Sequence, residues 1–296
     1  MPTVHRRHII IFGLIGALVF MLLFQLVNSS YENMKVPVTL GGNYSPRYAE
    51  YLGLDPQQTY LQILEELKIK RLRLPVYWDQ IEPTPGQFDF KQLDYYVEQA
   101  AKHQAQLILA VGYKIPRWPE CYPPKWLTIT KSQFPSRELE QMLSVVIKRY
   151  DNNPAIVAWQ IENEPFFPFG ECQTRSKSSF EDELRFVQTL TQKPIIVTDA
   201  GEFSLWIDSI KQSNIFGTTL YRDASFPLFG RIYYPIQPWF YRIRSELVRK
   251  FFAPNNHKTI VIELQTEAWT ENGIIDTPLN QQIASFPVGR LTENIK

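Results

Sequence analysis

The sequence predicts an α/β fold in which parallel strands close into a (β/α)8 TIM barrel that ends before its eighth strand, preceded by an N-terminal transmembrane helix. Three observations predict the barrel. From Val36 to Glu263, strand-like apolar runs alternate with helix-like amphipathic runs seven times, the pattern of parallel strands joined by helical crossovers. No G-x-G-x-x-G or G-x-x-x-x-G-K-[ST] follows any strand, so the nucleotide-binding open sheets lose their main support. Polar and aromatic residues gather where strands end, at Trp78, Tyr113, Glu164, Glu202, Tyr221 and Glu263. A barrel builds its active site from those positions.

The N-terminus is a different material. Residues 1–8 carry Arg6 and Arg7 and form a cytoplasmic flank. Residues 9–27 carry no charge and a single polar side chain, Gln25. A run of this length nearly matches the ~30 Å hydrocarbon core of a bilayer. The arginines before it place the N-terminus in the cytoplasm and the rest of the chain outside. The length of the run and the absence of an A-x-A-like cleavage signal favour a retained signal anchor over a cleaved peptide that would release a secreted domain. Residues 28–35 are a polar linker, and residues 36–296 form the barrel domain.

The elements follow in order. Val36–Gly42 reads as the first strand. Tyr60–Leu67 has helical spacing at Leu61, Ile63, Leu64 and Leu67, and Ile69–Trp78 is the second strand. Phe90–His103 is an amphipathic helix with Asp89 as its cap, and Ala105–Tyr113 is the third strand. A loop rich in Pro and Trp runs from Lys114 to about Phe134. Ser136–Tyr150 is a helix whose Glu138 and Glu140 suit the positive end of its dipole. Ile156–Pro165, reading IVAWQIENEP, is the fourth strand and its functional rim. Ser179–Leu190 is a helix, Pro194–Asp199 the fifth strand and Leu205–Ile210 a short helix. Ile215–Tyr221 is the sixth strand, Pro238–Phe252 a helix with a basic face, and His257–Glu263 the seventh strand. The remaining 280–296 suffices for most of a helix and no eighth strand. The expectation is a chain cut within its last repeat, with closure by another route as the alternative.

Composition narrows the function. Of 296 residues, 44% are hydrophobic, ample for one large core. Lys plus Arg number 31 against 30 Asp plus Glu, and this balance lacks the basic excess that nucleic-acid binding normally requires. Two cysteines and four histidines argue against a zinc site or a disulfide scaffold. No metal and no organic cofactor is expected.

Asn163-Glu164-Pro165 at the fourth strand and Glu263 at the seventh present two carboxylates at strand ends of one barrel. Glycosidic hydrolysis needs such a pair: one carboxylic acid protonates the leaving oxygen, and one carboxylate attacks the anomeric carbon or activates water. Carboxyls ~5–5.5 Å apart attack directly and retain configuration, whereas wider pairs invert. A lone strand-end Glu is normally a solvated or ion-paired residue. The joint placement of two is what raises the enzymatic reading.

Asn163-Glu164-Pro165, Glu263 and Arg73-Leu74-Pro75 closing the second strand resemble the retaining (β/α)8 glycoside hydrolases of clan A, particularly the family 5 cellulase-like members. Trp78–Phe88 (WDQIEPTPGQF) is similar to the second-strand region of family 42 β-galactosidases. The resemblance implies Glu164 as acid/base and Asn163 as donor to the sugar 2-hydroxyl. It implies Glu263 as nucleophile, with Arg73 and Tyr221 holding it ionised and oriented. Glu267 has the same strand parity as Glu263 and stands as the alternative nucleophile. Glu162 shares parity with Glu164 but lies deeper, and reads as structural, paired with a barrel-interior cation. Arg73 taken alone fits an ordinary ion pair almost as well. The aromatic residue that such barrels carry on their eighth strand has no counterpart here.

Trp78, Trp118 and Trp269 are the candidate stacking surfaces for sugar rings; Trp126 fits that role and loop packing equally, and Trp159, Trp206 and Trp239 read as core. Cys121 and Cys172, in neighbouring loops, form a disulfide if the domain is extracytoplasmic, or remain two buried thiols. The whole reads as a membrane-anchored, extracytoplasmic retaining hydrolase of β-glycosidic bonds. A non-catalytic carbohydrate-binding or scaffold barrel is the second reading. The expected partners are a carbohydrate substrate and, through the N-terminal helix, a membrane, with no nucleic acid and no second copy of the chain.

Overall fold

The computed structural model describes Leu18 and residues 38–129, 136–173, 175–226, 230–233, 236–253, 258–266 and 276–295. Seven parallel strands form its sheet. They are β1 (Gly42–Asn43), β2 (Arg71–Pro75), β3 (Gln106–Val111), β4 (Ile156–Ile161), β5 (Ile195–Asp199), β6 (Ile215–Leu220) and β9 (Lys258–Leu264), hydrogen-bonded in that order. Each pairs in parallel with the next. The Asn43 side-chain amide on β1 donates to the Ile262 carbonyl on β9 at 3.0 Å, so first and seventh strands meet and the curl is nearly closed. Among the described residues this is a partial barrel of seven strands.

Helices cover the outside. α1 (Pro46–Tyr51) and α2 (Pro56–Glu65) each start with a capping side chain followed by proline. Ser45 accepts from the Tyr48 amide and Asp55 from the Gln58 amide, satisfying amides that the first turn leaves orphaned. α3 (Trp78–Ile81), α4 (Lys91–Lys102), α5 (Ser136–Tyr150), α6 (Lys177–Leu190) and α7 (Ile207–Gln212) follow. After a small antiparallel hairpin, β7 (Asp223–Phe226) and β8 (Gly230–Tyr233), come α8 (Pro238–Phe252), α9 (Leu279–Ser285) and α10 (Val288–Ile295). α5 shows the logic of the outer layer. Leu139, Met142, Leu143, Val146, Ile147 and Tyr150 repeat at three- and four-residue steps and are all buried, one apolar stripe turned onto the sheet. The main core fills β2 to β5 and their helices; Trp206, Ile210, Phe216, Leu220 and Tyr241 make a second cluster beneath β6 and α8.

Several expectations are corrected. The single-pass membrane localisation does not stand, because among the described residues no helix is long and apolar enough to cross a membrane; residues 9–27 lie outside the described residues except for Leu18. The first strand is not Val36–Gly42: the described residues 38–41 are exposed and unpaired, and pairing begins only at Gly42. The second strand stops at Pro75, since Val76 and Tyr77 turn the chain into α3. The hairpin β7–β8 and the helices α1 and α3 are short elements whose periods are too brief to read from sequence.

Candidate active site

The end of β4 is the centre of the site. After Ile161 the backbone takes left-handed conformations at Glu162 (φ 57) and Glu164 (φ 44), uncommon for residues with a Cβ. The turn is held from both sides. Glu162 N donates to Val111 O, Asn163 N to Lys114 O at 2.6 Å, and Glu164 N to Thr198 Oγ1 at 2.8 Å. Such strain persists only where surrounding contacts over-determine it.

Glu162 is buried among backbone amides and an arginine. It is 2% exposed, accepts from the Tyr113 and Lys114 amides at 2.8 and 2.5 Å, and pairs with Arg175 at 3.1 Å. Its cation therefore comes from the segment before α6, not from the barrel interior. Gly112 (φ 149) makes room for it, because a Cβ there would lie 2.7 Å from the Glu162 carboxyl carbon. The same Arg175 also bonds Glu183, whose carboxyl is pushed well up by burial and then by the charge of Glu162.

Arg73 on β2 ties three parts of the site together. Its Nε donates to Gln160 Oε1 at 2.6 Å, Nη1 to Glu263 Oε1 at 2.5 Å and Nη2 to Asn163 Oδ1 at 2.8 Å. The planar fork of a guanidinium suits this task, and an ammonium point charge would not. Glu263 near the end of β9 also accepts from Tyr221 Oη at 2.9 Å. Tyr221 is held in turn by its own amide on Glu202, a half-buried carboxylate that takes a second bond from Tyr241 Oη at 2.6 Å. Arg73, Asn163, Tyr221 and Glu263 thus form one connected network.

Glu164 is 6% exposed. Its carbonyl accepts from Lys114 Nζ at 3.1 Å, and among the described residues no side chain bonds its carboxyl. Burial pushes that carboxyl well above the usual range, and the charges of Glu263 and Glu120 push it further, while Lys114 opposes them. A carboxyl so placed keeps its proton into conditions where an exposed one has lost it.

Sequence reasoning missed Glu120 and Lys114. Glu120 sits in the loop after β3, is 5% exposed, pairs with Lys114 Nζ at 3.1 Å and accepts from Asn163 Nδ2 at 3.1 Å. Burial pushes its carboxyl up to about 7 against the lowering effect of Lys114. The only signal was a charged residue beside a cysteine in a Pro- and Trp-rich loop.

The candidate stacking residues separate. Trp78 is not a sugar platform: it is 1% exposed, sits edge-on to Trp126 and donates Nε1 to Glu82 Oε2 at 2.7 Å. Trp126 is half-buried and donates to the Glu82 carbonyl at 2.9 Å, a loop-packing role. Trp118 is 60% exposed beside Phe169. Trp269 and Glu267 lie outside the described residues. Cys121 and Cys172 are joined in a disulfide with a Cα–Cα distance of 5.4 Å.

Residues 55–135 match the β-galactosidase model of glycoside hydrolase family 42. Over 173 residues, 49% of this chain, it is 23% identical to β-galactosidase BgaA of Clostridium cellulovorans (strain ATCC 35296 / DSM 3052 / OCM 3 / 743B). Over 152 residues, 43% of this chain, it is 29% identical to β-galactosidase BgaH of Haloferax lucentense (strain DSM 14919 / JCM 9276 / NCIMB 13854 / Aa 2.2). The aligned stretches span 25% and 21% of those relatives' lengths. In fold, the chain is similar to the β-galactosidase of the psychrophilic Marinomonas ef1, with a TM-score of 0.53 at 14% identity, covering 79% of this chain and 49% of that one. It is equally similar to the exo-β-1,4-mannosidase Op5Man5 of Opitutaceae bacterium strain TAV5, with a TM-score of 0.54 at 12% identity, covering 77% and 46%. By its family match over residues 55–135 and by its barrel of parallel strands, the chain is a relative of the clan A glycoside hydrolases.

Proposed function

We propose that the chain hydrolyses β-glycosidic bonds by double displacement, with Glu164 as acid/base and Glu263 as nucleophile, and that a β-galactoside is its first substrate to try. The observation that carries the reading is the Arg73 fork, which binds Glu263 and Asn163 at once. A nucleophile must stay ionised and aimed, and a guanidinium on one oxygen with a phenol on the other does both. The acid must instead hold a proton near neutral pH, and the buried Glu164, facing the carboxylates of Glu263, Glu120 and Asp199, is built for that.

In the first step Glu164 gives its proton to the leaving oxygen as Glu263 forms a bond to the anomeric carbon. In the second, Glu164, now ionised, takes a proton from water, which displaces Glu263. Asn163, next to Glu164 and oriented by Arg73, suits the sugar 2-hydroxyl, where added hydrogen bonding strengthens in the transition state. The β-galactosidase names of the matched relatives support the choice of sugar.

The test uses two leaving groups. Glu164→Gln should abolish hydrolysis of lactose, whose leaving sugar needs the proton, and retain measurable attack on 4-nitrophenyl β-galactoside, whose leaving phenolate does not. Full lactose turnover by Glu164→Gln would remove Glu164 from the role.

A further inference from the structure

Glu120 takes no part in the two-step scheme, yet the chain goes to some length to put it there. Its backbone is left-handed (φ 69), as is that of Arg117 (φ 83). The loop is pinned by hydrogen bonds from Glu120 N to Arg117 O and from Ile115 N to Glu120 O at 2.7 and 2.8 Å. The Cys121–Cys172 bond ties it to the segment after β4. There Gly170 (φ 86) leaves the space: a Cβ on it would lie 3.2 Å from Glu120 Oε2 and 2.8 Å from Pro119 O. A surface carboxylate requires none of this.

The contacts show what the placement achieves. The Asn163 amide has its oxygen on Arg73 and its nitrogen on Glu120, so both ends are spoken for and its orientation is fixed by partners of opposite charge. Lys114 Nζ lies against Glu120 and also donates to the carbonyls of Glu164 and Phe167. It thereby joins the loop after β3 to the segment that follows Glu164.

We infer that Glu120 is a third working carboxylate of this site, a positioning residue that locks the Asn163 amide and adds a negative charge beside Glu164. The inference rests on Glu164 being the acid of the proposed reaction. The groups facing Glu164 are Glu263 from β9, Glu120 and Lys114 from the loop after β3, and Asp199 from β5. Arg73 from β2 stands between Glu263 and Asn163. Of the three carboxylates, Glu263 has the guanidinium on it and Asp199 accepts from Ser209 Oγ and the Ala200 amide. Glu120 has one oxygen bonded to Asn163 and the other, Oε2, without a hydrogen bond beyond its ion pair with Lys114. After Glu263, its charge is the one that most raises the Glu164 carboxyl. As it ionises around neutral pH, it makes loss of the Glu164 proton harder and carries the acid's working range upward.

The experiment is the pH dependence of kcat/KM for lactose in the full chain, for the wild type, Glu120→Gln and Glu120→Asp. Glutamine keeps an acceptor for Asn163 and removes the charge, so the alkaline limb should move to lower pH by about half a unit or more. Aspartate keeps the charge and shortens the reach to Asn163, so the limb should stay at the wild-type pH while KM rises. A purely structural Glu120 predicts the opposite pattern: rate or thermal midpoint falls and the limb stays in place. A Glu120→Gln profile that overlays the wild type, or a limb that moves equally in Glu120→Asp, overturns the inference. Should Glu120→Gln not fold, a displaced limb in Glu120→Asp overturns it alone, and a raised KM with an unmoved limb supports it. Glu164→Gln separates the two levels. If it retains lactose turnover, the acid assignment fails; if it is inactive while Glu120→Gln overlays the wild type, only the role of Glu120 fails.

Discussion

Arg73 and Glu263 stand 190 positions apart in the chain and 2.5 Å apart in space, on the second and seventh strands of the barrel. The pair is well shielded, with side-chain exposures of 3% and 18%, and the guanidinium spends all three nitrogens on partners. Arg73→Lys keeps the charge and loses the fork, so it cannot serve Gln160, Asn163 and Glu263 together. Losing charge-assisted hydrogen bonds worth about 1.5–3 kcal/mol should lower kcat/KM roughly ten- to a hundredfold. Arg73→Met leaves Glu263 without its cation and should also reduce folding stability by about 2–3 kcal/mol, read by denaturant unfolding. Unchanged kinetics in Arg73→Lys would reduce the pair to an ordinary structural contact.

Tyr221 supplies the other bond to Glu263, at 2.9 Å, and its position is set from behind by Glu202 and Tyr241. Tyr221→Phe removes one oxygen and no bulk. The expected loss is about tenfold in kcat, the equivalent of one hydrogen bond of ~1–1.5 kcal/mol, with the thermal midpoint little changed. Tyr241→Phe acts one step further out. It removes a bond to Glu202 and leaves the Tyr221 amide bond to that same carboxylate, so its kinetic effect should be smaller than that of Tyr221→Phe.

These two residues also mark what the sequence made legible. Glu164, Tyr221 and Glu263 lie close to the ends of β4, β6 and β9, and Arg73 sits within β2; apolar runs such as Ile156–Ile161 made those strands readable. Helices α5 and α8 were readable to the residue because their apolar stripes run over several turns. Trp78 misled for the same reason that it was noticed. It closes an apolar run, and nothing in the sequence says that the strand stops at Pro75 and that the indole turns inward onto Glu82. Glu120 and Lys114 were invisible because loop geometry places them. The burial of Glu120 depends on left-handed turns and on Gly170, far along the chain, neither of which leaves a periodic trace. Arg175, the partner of Glu162 and Glu183, was missed likewise.

Stability should fall as pH rises above the ordinary carboxylate range. Glu120, Glu164 and Glu183 all have folded-state values raised above 4.5, chiefly by burial. Below about pH 4.5 these groups are protonated in both states and favour neither. Above it the unfolded chain releases those protons first, so the unfolded state gains and stability declines with pH. For Glu120 the decline runs from 4.5 to about 7 and then levels off, a contribution on the order of 3 kcal/mol at most. Denaturant midpoints between pH 5 and 7.5 should therefore decrease in the wild type. The decrease should be shallower in Glu120→Gln, which has no proton to lose. An equal slope in both chains would mean that Glu120 titrates alike folded and unfolded.

The Cys121–Cys172 bond closes a loop with a sequence separation of 51 that contains α5, β4, Asn163 and Glu164. Cross-linking a loop of that length restricts the unfolded chain by roughly 4 kcal/mol on the chain-entropy account. Replacing both cysteines by serine should therefore cost about 2–4 kcal/mol of stability, a loss general to the domain. The kinetic effect should be local. β4 is held by its ladders to β3 and β5 and carries Glu164 with or without the bond. Glu120, by contrast, precedes Cys121 on a loop held by short backbone bonds, the Lys114 pair and the contact with Asn163. The double serine variant, assayed well below its melting range, should thus retain Glu164-dependent hydrolysis of lactose while its alkaline limb shifts toward that of Glu120→Gln. A variant that lost all lactose turnover while still folded would show instead that the bond positions Glu164 itself.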